Sequence, residues 1–301
     1  MPRLQLSTHR LSFIAPLFPD NLYGHLVATA VPGVEEWRDG AYRRTLRFAS
    51  GSYGIVALRP GGPGVVLARL LLEDASDQPA ALQTSRRLLD LDADPAVVDP
   101  VLADDPVLAP LIQAAPGRRV PGAAGGDEMA VRAVLGQQVS TAAARTHAGR
   151  LVAAVGQPID DPEGGLTHLF PTPSAVAAAR PETFAFPAAR QRSLRALSTS
   201  LAAGELPPLE PGSDPAAVRE ALQALPGVGP WTAETVAMRA LADGDAFIPT
   251  DLGVRAAARA LGLAPTPAAL TARAQAWRPW RAYAVQHLWA TAPHPVNVMP
   301  A

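Results

Sequence analysis

The stretch LPGVGPWTAETVAMRALADGDAFIPTDLGVR, residues 225–255, carries the residue types and spacing with which this chain could do chemistry. Gly227 and Gly229 lie one residue apart, between predicted helices over 215–224 and 231–242. Glycine allows positive φ and close approach of another backbone, and the free amides at the start of the second helix form an anion site. Two helices joined by such a tight glycine turn could bind a DNA phosphate without a charged side chain. The alternative is a plain αα-hairpin in which the glycines only close a tight turn.

Asp251 is the second candidate group in this stretch. It follows Ile248-Pro249-Thr250 and stands at the start of a predicted helix over 251–262. An aspartate in the first turn of a helix complements the helix dipole, which is a common structural role. Because the dipole favours a negative charge there, the position suits a chemical role as well.

Composition excludes several classes of chemistry. The chain has no Cys, which excludes disulfides, thiolate zinc sites, iron–sulfur clusters and cysteine nucleophiles. All 26 basic residues are Arg, so no lysine can form a Schiff base and only the amino terminus remains for that chemistry. The basic residues nearly balance the 27 acidic ones. Any contact with DNA must therefore be local, and not driven by the charge of the whole molecule.

Hydrophobic patterning predicts two domains. Residues 1–92 are predicted as a small antiparallel sheet with helices packed on it, because Gly- and Pro-bearing gaps between strand-like segments are hairpin signals. Residues 93–301 are predicted as an all-α body. The fold class is therefore α+β. Strands are predicted over 42–48, 53–58 and 64–72, and helices over 22–31, 80–91, 127–135, 140–156 with Ser140 as N-cap, 174–180, 188–203, 215–224, 231–242, 251–262, 266–276 and 279–291.

Several motifs in this order resemble one known family. LPGVGPWTA, followed about twenty residues later by FIPTD, resembles the helix–hairpin–helix DNA glycosylases, whose catalytic aspartate follows the hairpin. AVRAVLGQQVSTAAARTHAGRL (130–151) resembles their first core helices, and WRPWRAYAVQHLWA (277–290) their C-terminal helix. Within that superfamily the chain is most similar to DNA-3-methyladenine glycosylase II, the alkylation-repair branch. These co-linear motifs favour a DNA-binding hairpin at 225–230 over a plain turn.

The resemblance implies a monofunctional DNA glycosylase that releases alkylated bases of the 3-methyladenine type in base excision repair. It also implies that the helical body, residues 93–301, divides into two helical subdomains with a cleft between them. Asp251 would be catalytic, because a fixed carboxylate stabilises the positive charge that builds on the sugar as the N-glycosidic bond breaks. It could also orient or deprotonate the attacking water. Relatives that cut the DNA backbone carry a catalytic lysine where this chain has Trp231, so we expect no lyase activity.

The predicted base pocket follows from the same resemblance. Trp231 and Trp289 would line it, since stacking on aromatic rings offsets the energy of flipping a base. Core packing is the alternative role for Trp289. Thr235, one turn after Trp231, and His25, near the rim, complete the predicted pocket. A solvent-facing position is the alternative for His25.

DNA contacts are predicted in two segments. Gln137 and Gln138 lie in a loop that enters the minor groove in the family, and Gln138 matches the side chain that fills the gap left by the flipped base. A polar loop with no role is the alternative. The full set of predicted DNA-binding residues is Gln137, Gln138, Gly227, Val228, Gly229, Trp231 and Thr232.

No cofactor is expected to be required. In the family, hairpin backbone carbonyls can hold a structural Na⁺ or K⁺, and by position these would belong to Gln223, Leu225 and Val228. The expected partner is double-stranded DNA with a damaged base, bound by a monomer. The chain shows no charged-then-apolar leader and no apolar run of roughly 18–20 residues, so we expect a cytoplasmic protein without membrane contact.

Three positions depart from the family pattern and keep alternatives open. Pro230 removes an amide donor and a charge beside the hairpin glycine. Thr235 and Ala290 are smaller than the aromatic residues that some relatives carry there. A wider pocket would also suit a glycosylase for deaminated or mismatched bases. A non-catalytic lesion-binding protein is the other alternative, against which the intact PTD sequence argues.

Overall fold

The structure, a computed structural model, describes residues 4–184 and 186–301. The amino-terminal part contains five strands and two helices, with the bounds β1 Gln5–Ser12, α1 Asp20–Ala28, β2 Glu35–Arg38, β3 Ala41–Arg47, β4 Tyr53–Pro60, β5 Val65–Leu72 and α2 Gln78–Leu88. The strands form one antiparallel sheet in the order β1-β5-β4-β3-β2.

Alternating side chains explain why the helices pack on one face of this sheet. In β5, Val66, Ala68 and Leu70 point to the same side and are buried. Leu22 of α1 and Leu88 of α2 pack into the cores on that side of the sheet. The helices therefore cover this apolar face. On the opposite face, Ile55 and Leu71 are buried together with Leu166.

Two strands of this sheet were not predicted from the sequence. β1 buries only Leu11, so its hydrophobic alternation is weak. It is held by backbone pairing with β5, from Gln5 opposite Leu72 to Ser12 opposite Val65. β2 is four residues long and rich in charge. Both segments gain their strand structure from the neighbouring strand and not from their own pattern.

The remainder of the chain is a helical body. Its helices are α3 Pro95–Ala103, α4 Ala109–Ala114, α5 Gly126–Leu135, α6 Thr141–Val155, α7 Pro173–Ala178, α8 Ala188–Ala202, α9 Pro215–Gln223, α10 Pro230–Arg239, α11 Leu252–Ala260, α12 Pro267–Arg273 and α13 Arg281–Trp289. The predicted sheet domain followed by a helical body is confirmed. The proline-rich helices α3 and α4 were missed. A pair of two-residue strands, β6 Gln157–Pro158 and β7 His168–Leu169, also interrupts the body.

The helical body has two hydrophobic cores that share one helix. One core joins residues of α5, α6, α8 and α9, and the other joins residues of α3, α4, α11 and α13. From α10, Ala233 and Val236 face the first core, whereas Ala237 and Met238 face the second. The helix that follows the hairpin is thus packed on both sides.

The C-terminal segment returns to the amino-terminal domain. It contains a short 3₁₀ turn at Pro295–Asn297 and runs so close to α1 that a Cβ on Gly24 would lie 2.5 Å from the carbonyl oxygen of Val298. In the two described ranges, no helix is both long and apolar enough to cross a bilayer.

Candidate active site

Asp251 is the N-cap of α11, and not a residue of its first helical turn. Its Oδ1 accepts a hydrogen bond from the backbone N–H of Val254 at 2.9 Å, as expected for a capping aspartate. The same oxygen accepts from Nε1 of Trp289 at 2.8 Å, and Oδ2 accepts from Nε1 of Trp231 at 3.0 Å. Three N–H groups from three helices therefore fix both oxygens of one half-buried carboxylate.

The two predicted pocket tryptophans meet at this carboxylate. Trp231 is the second residue of α10 and Trp289 the last residue of α13, and both are partly buried. Each ring edge is used to orient Asp251. Both tryptophans also line a cavity.

Gly253 was missed by sequence reasoning and is needed for this arrangement. A Cβ at this position would lie 2.9 Å from Cδ1 of Trp289 and 3.1 Å from Oδ1 of Asp251. No larger residue fits without moving Trp289. A glycine two positions after the N-cap, where glycine is a poor helix former, was the available signal.

A cavity of about 440 Å³ opens beside Asp251, at the junction of the sheet domain and the helical body. This volume is typical of small-molecule sites. Two walls of the cavity differ in the side chains that form them. The Asp251 wall consists of Trp231, Arg239, Asp251 and Trp289, and the ion-pair wall consists of Glu35, Arg44, Glu128 and Arg132.

His25 and Thr235 also line the cavity. The hydroxyl of Thr235 donates to the carbonyl oxygen of Trp231 at 2.7 Å, so it is satisfied within α10. Burial lowers the pKa of His25 well below its usual value, and the nearby Arg239 and Arg132 lower it further. His25 therefore faces the cavity as a neutral imidazole near neutral pH.

The ion-pair wall joins the two domains. Glu35 of β2 pairs with Arg44 at 3.3 Å and with Arg132 at 3.0 Å. Glu128 of α5 pairs with the same two arginines, at 2.7 Å and 2.9 Å. Although burial opposes the charge, Arg44 and Arg132 lower the pKa of Glu128 below its usual value. Two acids and two bases thus neutralise each other inside the protein.

Arg239 is the second residue that sequence reasoning missed. It is only 5% exposed, and its Nη1 donates to the carbonyl oxygen of Pro121 at 2.6 Å. Its guanidinium lies over the Trp289 ring, 5.7 Å from the centroid. An arginine within the otherwise apolar run VAMRAL was the available signal.

The predicted minor-groove loop joins α5 to α6. Gln138 is exposed and has a φ of 55°, in the left-handed region. Gln137 instead turns toward the hairpin, where its Nε2 donates to the Gly227 carbonyl at 3.0 Å and to the Thr232 hydroxyl at 2.9 Å. The predicted Ser140 cap is present, accepting from the Ala143 N–H. The structure therefore separates an exposed Gln138 from a Gln137 that links the loop to the hairpin.

The hairpin connects α9 to α10. Gly227 has a φ of 75° and packs so closely on Ser193 that no side chain fits. The amides of Gly227 and Gly229 donate to no other group among the described residues. Val228 and Thr232, in contrast, are buried. The tight turn thus leaves two backbone N–H groups without an acceptor among the described residues.

The three predicted cation ligands lie around this turn. The Leu225 carbonyl accepts from the Val228 N–H at 3.2 Å, whereas the carbonyls of Gln223 and Val228 accept no hydrogen bond from the described chain. The cation site at this turn stays a prediction.

Two family models match the chain in succession. Residues 8–125 match the model described as AlkA N-terminal domain, and residues 131–282 match the model described as HhH-GPD superfamily base excision DNA repair protein. The chain belongs to the HhH-GPD superfamily. The predicted resemblance to helix–hairpin–helix DNA glycosylases is thereby confirmed.

Individual relatives agree with this assignment. The chain is 54% identical over 291 residues to the "probable bifunctional transcriptional activator/DNA repair enzyme AlkA" of Mycobacterium tuberculosis, matching 97% of this chain but only 58% of that protein. It is 36% identical over 281 residues to DNA-3-methyladenine glycosylase 2 of Escherichia coli (strain K12), covering 90% and 92% of the two chains. The solved 3-methyladenine DNA-glycosylase from Archaeoglobus fulgidus shares the fold, with a TM-score of 0.81 at 19% identity over 94% of this chain and 97% of that one.

Proposed function

We propose that this chain is a monofunctional DNA glycosylase that hydrolyses the N-glycosidic bond of flipped, alkylated bases of the 3-methyladenine type in base excision repair. The observation that carries the proposal is Asp251, whose two oxygens are fixed by three N–H donors beside a cavity of small-molecule size. The E. coli relative, matched along most of its length, is named for release of this base.

Asp251 would act on the sugar. Breaking the glycosidic bond builds positive charge on the deoxyribose, and a carboxylate that is already oriented stabilises this charge without reorganisation. The same group can orient or deprotonate the water that attacks the sugar. Trp231 and Trp289 would hold the carboxylate by their ring edges and stack the base on their faces.

Strand cleavage through a Schiff base is not part of the proposal. Trp231 stands where lyase relatives carry lysine, and the chain contains no lysine at all. The product would be an abasic site in an intact strand.

DNA would be held by the backbone at two places. The free amides of Gly227 and Gly229 can donate to a phosphate, and the exposed Gln138 can fill the gap in the stack. Neither contact needs a positive side chain, which fits a net charge of −1. The carbonyls of Gln223, Leu225 and Val228 would hold a Na⁺ or K⁺ ion, whose charge would favour the same phosphate.

Base release from methylated duplex DNA tests the proposal. Released bases are identified by chromatography, and the strands are examined before and after alkaline treatment. We expect release of 3-methyladenine and strand breakage only after alkali. Asp251→Asn protein, purified in the same way, controls for contaminating glycosylases.

The other outcomes separate the alternatives. Release of deaminated or mismatched bases, without methylated ones, would assign the chain to that class of glycosylase. Binding to several lesions without any release would make it a recognition protein. Strand breakage before alkali would contradict the monofunctional assignment.

A further inference from the structure

The imidazole of His25 is a polar group of the cavity whose hydrogen-bonding capacity is unused. The backbone carbonyl of His25 accepts from the N–H and the hydroxyl of Thr29, whereas its side chain takes part in no hydrogen bond within the described part of the chain. Both ring nitrogens are accessible and not sealed inside the protein. His294, the second histidine that lines the cavity, differs because its Nδ1 already accepts from the Val296 N–H at 3.2 Å.

The charges around His25 keep its imidazole neutral. Burial lowers the pKa of His25 well below its usual value, and Arg239, Arg132 and His294 act in the same direction. A neutral imidazole carries one N–H donor and one lone pair that can accept. The arginines that suppress its protonation therefore preserve its ability to accept a hydrogen bond.

The carboxylates on the cavity wall already have donors. Glu35 and Glu128 are each paired with two arginines, and the oxygens of Asp251 accept three N–H groups. Arginine side chains only donate, so they cannot bind an amino group. A donor on a base that enters the cavity would therefore find an open acceptor at His25.

The base in the proposed function carries such a donor. 3-Methyladenine has an exocyclic amino group on its edge, and in DNA its ring is cationic, which strengthens the amino group as a donor. A neutral acceptor can bind this group without placing another positive charge beside the ring.

We propose that His25 is a specificity-determining residue whose neutral imidazole accepts a hydrogen bond from the exocyclic amino group of a flipped purine such as 3-methyladenine. The proposal rests on the proposed function and adds the feature of the base that the cavity recognises. His25 would act on the choice of base, whereas Asp251 would act on the sugar.

Two free bases that differ only in the amino group test the proposal in the wild type. Quenching of tryptophan fluorescence measures the binding of 3-methyladenine and of 3-methyl-3H-purine, which lacks that group. Because one hydrogen bond separates them, we expect 3-methyladenine to bind about three- to tenfold more tightly. Equal affinity, or tighter binding of 3-methyl-3H-purine, would overturn the proposal without any variant.

Three variants assign the preference to the imidazole. His25→Phe keeps a planar ring but removes both nitrogens, so it should bind the two bases within about twofold of each other. His25→Gln restores an acceptor through its amide oxygen and should keep most of the preference. His9→Phe is the matched control, because it makes the same replacement in β1, outside the cavity, and should bind both bases like the wild type.

Two results with the variants would contradict this assignment. A wild-type preference in His25→Phe would mean that another acceptor, such as the Thr235 hydroxyl oxygen, binds the amino group. Loss of the preference in both His25→Phe and His25→Gln would show that His25 only shapes the cavity.

Release of 3-methyladenine from methylated duplex DNA extends the test to the flipped nucleotide. At protein concentrations below saturation, His25→Phe should release it about three- to tenfold more slowly than the wild type, and His25→Gln and His9→Phe within about twofold of it. A wild-type rate in His25→Phe would contradict the proposal. If the wild type released no base yet preferred 3-methyladenine over 3-methyl-3H-purine, the proposed function would fail while the role of His25 would stand.

Discussion

The two walls of the cavity differ in how their charged side chains are paired. On the ion-pair wall, Glu35 and Glu128 are matched by two arginines, so the charges cancel within the protein. On the Asp251 wall, the carboxylate is held by neutral N–H groups, and Arg239 forms no ion pair with a carboxylate of the described residues. The comparison indicates that the first wall holds the domains together, whereas the second leaves its charges available to a substrate.

Removing one charge from the ion-pair wall should give the largest effect, which is a loss of stability. Glu35→Gln leaves Arg44 and Arg132 with one acid between them, so the free energy of unfolding should fall by about 3–5 kcal/mol. Urea unfolding measures the change. Glu182→Gln is the control, because that glutamate pairs with Arg180 while 73% exposed and should change stability little. An equally small effect of Glu35→Gln would remove the distinction between the walls.

Removing an indole donor from the Asp251 wall should lower activity instead. Trp289→Phe keeps a stacking surface but removes one N–H from Asp251, so single-turnover base release should slow by about tenfold to a hundredfold. Trp277→Phe is the matched control, because its Nε1 donates to Asp105 at 2.7 Å away from the cavity. That control should lose stability without slowing release by folded protein. Similar release rates in the two variants would contradict the assigned role of Trp289.

Moving the indole without removing it should have a smaller effect. Gly253→Ala places a methyl group against Trp289 and Asp251, and a shift of that pair should slow release by about tenfold. Gly125→Ala, where a Cβ meets no atom within 4 Å, should release base at the wild-type rate. Full activity of Gly253→Ala would show that the site tolerates displacement.

The smallest expected effect concerns a further charge near Arg239. Because the folded-state pKa of His25 is lowered, the unfolded chain takes up a proton first as the pH falls through about 6.5, and the folded state loses stability. Between pH 7.5 and pH 5.5 the free energy of unfolding should fall by about 1 kcal/mol less in His25→Gln than in the wild type. Urea unfolding at both values measures it. An unchanged pH dependence would mean that the cavity accepts a second cation.

The sequence predicted the parts of the molecule that depend on local pattern. The hairpin glycines, the Ser140 cap and the central strands could be found from the sequence. Each is indicated by residue types or by hydrophobic alternation within a short segment of the chain. β1 was missed because its strand structure comes from pairing with β5. Gly253 and Arg239 were missed because their roles arise from Trp289, which lies far along the chain and reaches them only through folding.

Single-turnover base release by Asp251→Asn is the most direct test of the account. Asparagine is also a good N-cap, so the variant should unfold at nearly the wild-type urea concentration and bind lesion-containing duplex within about threefold of the wild-type affinity. We expect its release rate to fall by about 10³-fold. A rate within tenfold of wild type, from equally folded and equally bound protein, would show that the carboxylate held by Trp231 and Trp289 does not perform the chemistry.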